Sequence, residues 1–457
     1  MTEPRQVLLG RVGSTPESPA TLEEGEGAFR LYPEKAFESL RQVIPLPTDN
    51  GALALSADPQ HAAADWSSRT LWGLREGQPF TVFSANMRVG TTLGMKPVYS
   101  AHSILWGAHV EDSSVEATAV RLRFSFPPTG WAEQGSVITA AGALSAWVED
   151  NHVDGLEWRP SAPHSIDDFK GGFPQVFTTL FHLWTDKINK VTELQVCIED
   201  VGWCELARID DGGPVKHVSE PLLSLDSLTL DIVGQWLNRS DQLGPIPFMV
   251  FPGDLALQVE AFVVASALEG THRRLHPDEV RRGLQEVPKA ELKRAKKAAK
   301  KAGVEALDPS PEYVKDVEAA FAQAVGHVEE LTFAERIEHI VGRVSEVAPG
   351  LLGPSSEGWI KSLRDIRNTQ AHALTKHDDF NQAEVSLYYV MSRTGRWVLR
   401  IRLLQELVSD DQLGAALRRS SDFLHTLADI DEEKYWSDFS TYDAFQDANL
   451  KTIEEPS

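Results

Sequence analysis

The hydrophobic period of this chain changes once, near residue 222, and that change limits the folds open to it more than any other feature. Upstream, the apolar residues alternate. In VRLRFSF (Val120 to Phe126), Val120, Leu122, Phe124 and Phe126 fall on one side and Arg121, Arg123 and Ser125 on the other, the two-residue period of a half-buried strand. LQVCIE (Leu194 to Glu199) does the same. Phe80 to Phe83, Ile104 to Trp106 and Val176 to Leu180 read as further strands, separated by turn-rich stretches such as PPTG (Pro127 to Gly130), DNG (Asp49 to Gly51) and DDGGP (Asp210 to Pro214). Such strands pack as a β-sandwich or another antiparallel arrangement.

Downstream, Leu225, Leu228, Ile232 and Trp236 recur at helical spacing, and the proline-rich GPIPFMVFPGD (Gly244 to Asp254) marks a boundary. The pattern beyond it is helical almost throughout. It predicts a largely apolar helix over Leu255–Glu269 that carries Glu260, one or two helices within Pro311–Val347, one over Gly358–Leu374, and two more over about Asn381–Leu407 and Asp411–Leu427. The expected fold is therefore α+β: a mostly antiparallel β domain over residues 1–245, an all-α bundle over 246–430, and an acidic C-terminal tail with an unstructured end over 431–457.

A chain of 457 residues, 42% hydrophobic and 24% charged, has the composition of a soluble multi-domain protein. MTEPRQVLLG lacks the long apolar core of a secretory signal, and no apolar run approaches a membrane span, so a cytoplasmic protein without membrane contact is expected. The two cysteines, Cys197 and Cys204, supply neither a disulfide framework nor a four-cysteine zinc site, and packing in or beside strands is their expected role.

A formal charge of −23 argues against a protein that coats nucleic acid with its whole surface. The charge is uneven, however. His272 to Gly303 carries eleven Lys and Arg against four Asp and Glu, a basic insertion between the first two helices of the bundle. Lys293, Arg294, Lys297, Lys300 and Lys301 within PKAELKRAKKAAKKAG are the candidate RNA-binding residues. Without interleaved aromatics they would hold phosphates rather than stack on bases, and the contact would weaken with salt. A solvated helix rich in Ala and Lys is the default reading of this stretch, against which RNA binding is weighed.

Among motifs, the chain has no GxxxxGK[ST] phosphate loop, no HExxH helix, no GxSxG elbow and no H-x-E paired with CxxC, which disfavours nucleotide-triphosphate, zinc-hydrolase and serine-hydrolase chemistry. No metal ligand set and no cofactor is expected. What remains is SLRDIRNTQAHAL (Ser362 to Leu374). Trp359, Leu363 and Ile366 place it on an amphipathic helix, with Arg364, Asn368 and His372 along one polar face. His372, titrating near neutrality, suits proton transfer to or from a ribose hydroxyl, and Arg367 offers a permanently charged fork for a phosphate. On a straight helix the two point about 140° apart, so the pair needs either a local distortion or a site pooled from two copies of the helix.

Arg367-Asn368-Thr369-Gln370-Ala371-His372 late in a helical bundle resembles the RN-x-x-x-H mark of the HEPN superfamily (higher eukaryotes and prokaryotes nucleotide-binding domains). The region from about Phe248 to Ile430 resembles its ApeA-like branch, including ALEGTHRRL (Ala267 to Leu275) and LTFAERIEHIV (Leu331 to Val341). ILWGAHVED, VRLRFSF and LTLDIVGQWLNR in the first half resemble the matching ApeA N-terminal domain.

The resemblance implies a metal-independent endoribonuclease that leaves a 2′,3′-cyclic phosphate and a 5′-hydroxyl, acting in prokaryotic anti-phage (abortive infection) defence as a toxin-type effector on RNA, tRNA among the candidates. It implies Arg367 and His372 as the catalytic pair, accompanied by Asn368, at a homodimer interface in the HEPN domain. The N-terminal domain would sense or restrain, with a phage-derived protein as trigger. Glu269, His272, Arg273 and Arg364 are candidate supporting residues. The alternative is a non-catalytic HEPN protein that binds nucleic acid or a partner.

Overall fold

A computed structural model describes residues 4–25, 27–34, 44–47, 53–56, 69–89, 97–170, 172–185, 189–208, 221–251, 255–371 and 381–454. The chain divides into two units, Met1–Arg239 and Ser240–Ser457.

The strands of the first unit pair antiparallel throughout. Six of its strands close on themselves: β1 (Arg5–Arg11), β2 (Ser18–Gly25), β3 (Ala28–Pro33), β6 (Arg69–Arg75), β7 (Gln78–Val89) and β8 (Val98–Ala101) pair in the ring β1-β2-β3-β8-β7-β6 and back to β1. Closure removes the free edges that an open sheet would leave unpaired. A short hairpin of β4 (Ile44–Pro47) and β5 (Leu53–Ser56) forms a separate two-stranded sheet. Alternation dictates the barrel's interior: Val7 and Leu9, Ala20 and Leu22, Phe29 and Leu31, and Phe80 and Val82 point inward from successive strands and are buried together.

Strand β7 also carries the rest of the sheet. Its Phe80–Phe83 segment pairs with β9 (Ser103–Trp106) and its Asn86–Val89 segment with β8. Ser84 lies between the two segments in the left-handed region at φ 52°, the backbone kink of a strand that changes partner. From β9 the sheet continues through β16 (Gly202–Arg208), β15 (Val191–Ile198), β10 (Glu116–Phe124), β13 (His152–Pro160), β12 (Gly142–Glu149) and β11 (Ser136–Thr139), with the two-residue β14 (His164–Ser165) paired to β10. Tight hairpins use Glu76-Gly77 and Asp150-Asn151, whose positive φ values suit the primed turns that follow strand twist. DNG and DDGGP lie outside the described residues.

The alternation of VRLRFSF holds through Phe124: Val120, Leu122 and Phe124 are buried, and Arg121 reaches Glu157 at 2.8 Å on the other face. It fails at Phe126, which is 58% exposed because β10 ends at Phe124, ahead of Pro127 and Pro128. Val176–Leu180, expected as a strand, lies within a helix, Phe173–Thr185. The wider spacing explains it: Phe177, Leu180, Phe181 and Trp184 are buried at i, i+3, i+4 and i+7, a helical stripe that packs its aromatic rings on Phe124. The short helix Ile166–Lys170 precedes it. These become α1 (Ile166–Lys170) and α2 (Phe173–Thr185), followed by α3 (Leu230–Leu243).

The second unit is helical: α4 (Leu257–Leu275), α5 (Lys289–Leu307), α6 (Val314–Gly326), α7 (Phe333–Val347), α8 (Ser356–Ala371), α9 (Gln382–Leu404), α10 (Asp410–Arg419), α11 (Ser421–Glu432) and α12 (Thr441–Glu454). Local chemistry sets the starts. Thr332 with Glu335 and Asn381 with Glu384 form complete capping boxes at α7 and α9. The single helix expected over Asp411–Leu427 is two, because Ser420 takes an extended backbone and its hydroxyl accepts from Phe423 N, starting a new helix there. α4 is the centre of the bundle, burying Ala261, Val264, Ala265 and Leu268 against its neighbours. A Cβ placed on Gly395 of α9 would lie 2.5 Å from a Val264 methyl, so the α4–α9 crossing admits nothing larger.

Two further departures concern the periphery. The basic insertion is a helical hairpin of α5 and α6 that buries no residue of either helix, its closest approach being Gly303 under the Phe321 ring. The segment 431–457, expected as a tail with an unstructured end, is helical over Thr441–Glu454. Asp431 caps α12 by accepting from Thr441 N at 2.8 Å, and Phe445 is fully buried against Phe423.

Two outcomes follow. Phe445→Ala should cost about 3–5 kcal/mol of stability, measured by chemical denaturation, as for a buried aromatic rather than a tail residue. Cys197 and Cys204 pair with Trp203 and Val196 across neighbouring strands, so they occupy opposite faces of the sheet. Burial pushes the Cys204 thiol up to about 11, with Cys197 adding to the effect. An aromatic disulfide reagent at pH 8 should therefore leave Cys204 unlabelled in the folded protein and reach it only after denaturation, with mass spectrometry locating the label.

Candidate active site

Helix α4 buries two acids beside Val264, Ala265 and Leu268, Glu260 near its start and Glu269 in its second half, and Glu269 is 8% exposed. A carboxylate so placed needs partners. It finds three. Its Oε2 accepts from Arg367 Nη2 at 3.1 Å, and its Oε1 accepts from Arg273 Nη2 at 3.0 Å and from Arg336 Nη1 at 3.3 Å. Arg273 stands one turn along α4, Arg336 comes from α7 and Arg367 from α8, so one carboxylate ties three helices. Arg273 and Arg336 share a second acid, Glu330, at 3.4 and 3.8 Å.

Three guanidinium groups against two carboxylates leave the cluster with an excess of positive charge. Burial pulls the Arg336 guanidinium below its ordinary value and Arg273 adds to that, while Glu269 and Glu330 oppose it. Glu330 is held below the usual carboxylate range first by its hydrogen bond with His327 and also by Arg273. The side chain of Arg336 is 6% exposed, whereas those of Arg367 and Arg273 are 36% and 50% exposed. Arg367 and Arg273 are thus the members that an anion in solution can reach, with a buried carboxylate fixing each from behind. Phe333 supports Arg367 from α7, its ring centre 5.7 Å from the guanidinium carbon. Two oriented, accessible guanidinium groups can hold a phosphate through paired N–H donors.

The motif helix behaves as its pattern requires. Trp359, Leu363 and Ile366 are buried, and Trp359 Nε1 donates to Thr394 Oγ1 of α9 at 2.8 Å, which anchors α8 in the bundle. Asn368 is half-buried beside Arg367, 3.4 Å from Nη1. Arg364 is exposed and turns to its neighbour Asp365, outside the cluster. His372 lies outside the described residues.

His272 and Arg273, adjacent in sequence, serve different groups. Arg273 joins the arginine cluster, whereas His272 is buried among His276, Glu279 and His339. Burial pushes the His272 imidazole down to about 4, so it is neutral at physiological pH. Among the candidate RNA-binding residues, Lys293, Arg294, Lys297 and Lys301 are exposed on α5, while Lys300 is half-buried against Glu318 of α6 at 3.2 Å. Arg294 and Lys301 have acidic partners on their own helix, Glu291 and Glu305.

Arg336, Glu330 and Phe333 were not singled out in the sequence, although a signal existed. Arg336 interrupts the apolar stripe of Ile337, Ile340, Val341 and Val344 on α7, and a charge on a buried stripe implies a buried partner elsewhere. Glu260 on α4 obeys the same rule, pairing with Arg396 at 2.9 Å.

Replacing Glu269 by Gln should destabilise the helical unit by roughly 3–5 kcal/mol, because it leaves the Arg336 charge buried without its main partner. Arg364→Ala should stay within about 0.5 kcal/mol of the parent. Urea denaturation followed by far-ultraviolet circular dichroism compares the two.

Residues 262–413 match the family model described as Apea-like HEPN. The match runs from α4 to α10 and includes Glu269, Arg336, Arg367, Asn368 and His372. No curated protein and no solved structure matches the chain significantly. Over residues 262–413, then, the chain is similar to the Apea-like HEPN family.

Proposed function

We propose that this protein is an HEPN endoribonuclease in which Arg367 holds the scissile phosphate and His372 moves the proton. The family points to a nuclease or nucleic-acid-binding role. The observation that carries the finer reading is the Glu269–Arg367 pair. A carboxylate 11% exposed grips a guanidinium 36% exposed, so the arginine is oriented without being hidden. In the reaction, the ribose 2′-oxygen attacks the adjacent phosphorus as its proton passes to a base. The 5′-oxygen leaves with a proton, and the arginine stabilises the charge that builds on the non-bridging oxygens. The products are a 2′,3′-cyclic phosphate and a 5′-hydroxyl. Asn368, beside Arg367, is suited to orient it or to share the phosphate.

The 140° between Arg367 and His372 on an ideal helix favours a homodimer that pools motif residues from two chains. An effector role in anti-phage defence, with the β unit holding the nuclease in check until a phage protein appears, fits the pairing of such a domain with a separate β unit.

A second reading has its own support. Arg367 is already engaged by Glu269, which is also what a purely structural arginine would do in a non-catalytic HEPN protein that binds nucleic acid or a partner. Expression of the parent, Arg367→Ala and His372→Ala chains, followed by sequencing of RNA ends, separates the two. Under the enzyme reading, new 5′-hydroxyl ends appear with the parent and fall by at least about 100-fold with each variant, while circular dichroism spectra stay superimposable. Undiminished cleavage by both variants would overturn the assignment.

For RNA binding, Lys293→Glu with Lys297→Glu should weaken a generic single-stranded RNA several-fold and flatten the dependence of affinity on salt, measured by fluorescence anisotropy.

A further inference from the structure

We infer that His272, Glu279 and His339 form a binding site for a divalent transition-metal ion of the zinc class. Three donor atoms converge there. His272 Nε2 lies 3.0 Å from His339 Nδ1 and 3.2 Å from Glu279 Oε2, and His339 Nδ1 lies 3.3 Å from the same oxygen. Zinc bound tetrahedrally at about 2.0–2.1 Å sets neighbouring ligand atoms about 3.3–3.4 Å apart. The triangle therefore has nearly the required size already, and its atoms need only a few tenths of an ångström of adjustment.

The chemistry of the donor set agrees. Two imidazoles and one carboxylate suit zinc and its neighbours in the first transition row, whereas magnesium and calcium prefer oxygen ligands alone. The site is also built rather than incidental: His272 is 1% exposed, and the buried Glu279 Oε2, though close to both imidazoles, makes no well-aligned hydrogen bond among the described residues. A cavity of about 40 Å³ bordered by His272, His339, His276 and Ile340 lies beside the two imidazoles and is large enough for a water. His276 stacks on the His339 ring at 4.8 Å and fixes its plane. Two cations face the same cavity, Arg343 and Arg402, and each has its own acid: Arg402 holds Glu406 at 2.7 Å and Arg343 holds Asp410 at 3.4 Å, which reduces their repulsion of an ion.

The position of the site gives it a role. His272 is three residues beyond Glu269 on α4, and His339 is three residues beyond Arg336 on α7, so each donor stands one turn from a member of the arginine cluster. An ion there would lock α4 to α7 in the register on which the Glu269–Arg336 bond depends, and through Glu279 it would fasten the chain leading to the basic hairpin. This role is one of positioning and is independent of the ribonuclease reading.

The test uses the full chain, treated with EDTA and dialysed. Titration with zinc chloride should show one ion per chain by calorimetry and mass spectrometry and should raise the unfolding temperature by several degrees, an effect magnesium chloride does not reproduce. His339→Ala and Glu279→Gln, at side chains 44% and 30% exposed, should fold normally, weaken zinc at least about tenfold and lose the thermal shift. His425→Ala, an exposed histidine elsewhere, should behave as the parent. Zinc binding to the two site variants as tight as to the His425 variant, or no thermal shift in the parent, would overturn the proposal. RNA cleavage plays no part in these readouts, so loss of the ribonuclease reading leaves them intact.

Discussion

One carboxylate ties three helices of the helical unit together. Glu269 sits on the buried stripe of its central helix and has Arg273, Arg336 and Arg367 as partners, two of them from other helices. Taking one negative charge and a guanidinium such as that of Arg336 out of water is unfavourable unless each finds the other in good geometry. The arrangement of α4, α7 and α8 is the arrangement in which they do. The same bond that holds the bundle together also fixes the direction in which Arg367 presents itself. The group that orients Arg367 thus lies outside the RN-x-x-x-H motif, on an acid almost a hundred residues earlier in the chain.

The two elements of charge in this unit work at different depths. The arginine cluster is partly buried, and its charge-assisted bonds are screened only weakly by salt. The lysines of α5 are mostly solvent-exposed and loosely paired, and their influence reaches outward over about a Debye length before it fades. A polyanion would meet the second before it met the first. The −23 charge of the whole chain makes that local concentration of lysine the more distinctive.

Much of this was legible in the sequence because it is governed by local periodicity. The strict alternation of Val120, Leu122 and Phe124 and the helical stripe of Trp359, Leu363 and Ile366 announced their elements, and both are buried as their patterns require. The errors arose where a short window is ambiguous. Val176–Leu180 reads as a strand in five residues and as a helix in thirteen, and Ser420 is unremarkable until its backbone is seen to leave one helix and cap the next. Closure of the barrel was not readable at all, since the pairing of Phe29–Leu31 with Tyr99–Ala101 joins segments some seventy residues apart without a local signature. The Glu269–Arg336 bond was hidden for the same reason. Sequence could show that each charge interrupts an apolar stripe but not which interruption answers which.

The hairpin of α5 and α6 has a consequence for how the bundle assembles. It lies between α4 and α7 in the chain, buries no side chain of its own helices, and is joined at its base by the bridge between Val280 and Glu330, by Arg281 N donating to Glu329 O, and by ion pairs of Arg281 with Glu335 and Lys296 with Glu329. If the stretch from His276 to Thr332 were loose chain, bringing α4 onto α7 would require closing a long flexible loop. Pairing α5 with α6 shortens the effective loop roughly threefold, which lowers the entropic cost of closure by about 1 kcal/mol. Most of its contacts are local in sequence, so it can form early, and the encounter of Glu269 with Arg336 then becomes a short-range event despite their separation along the chain.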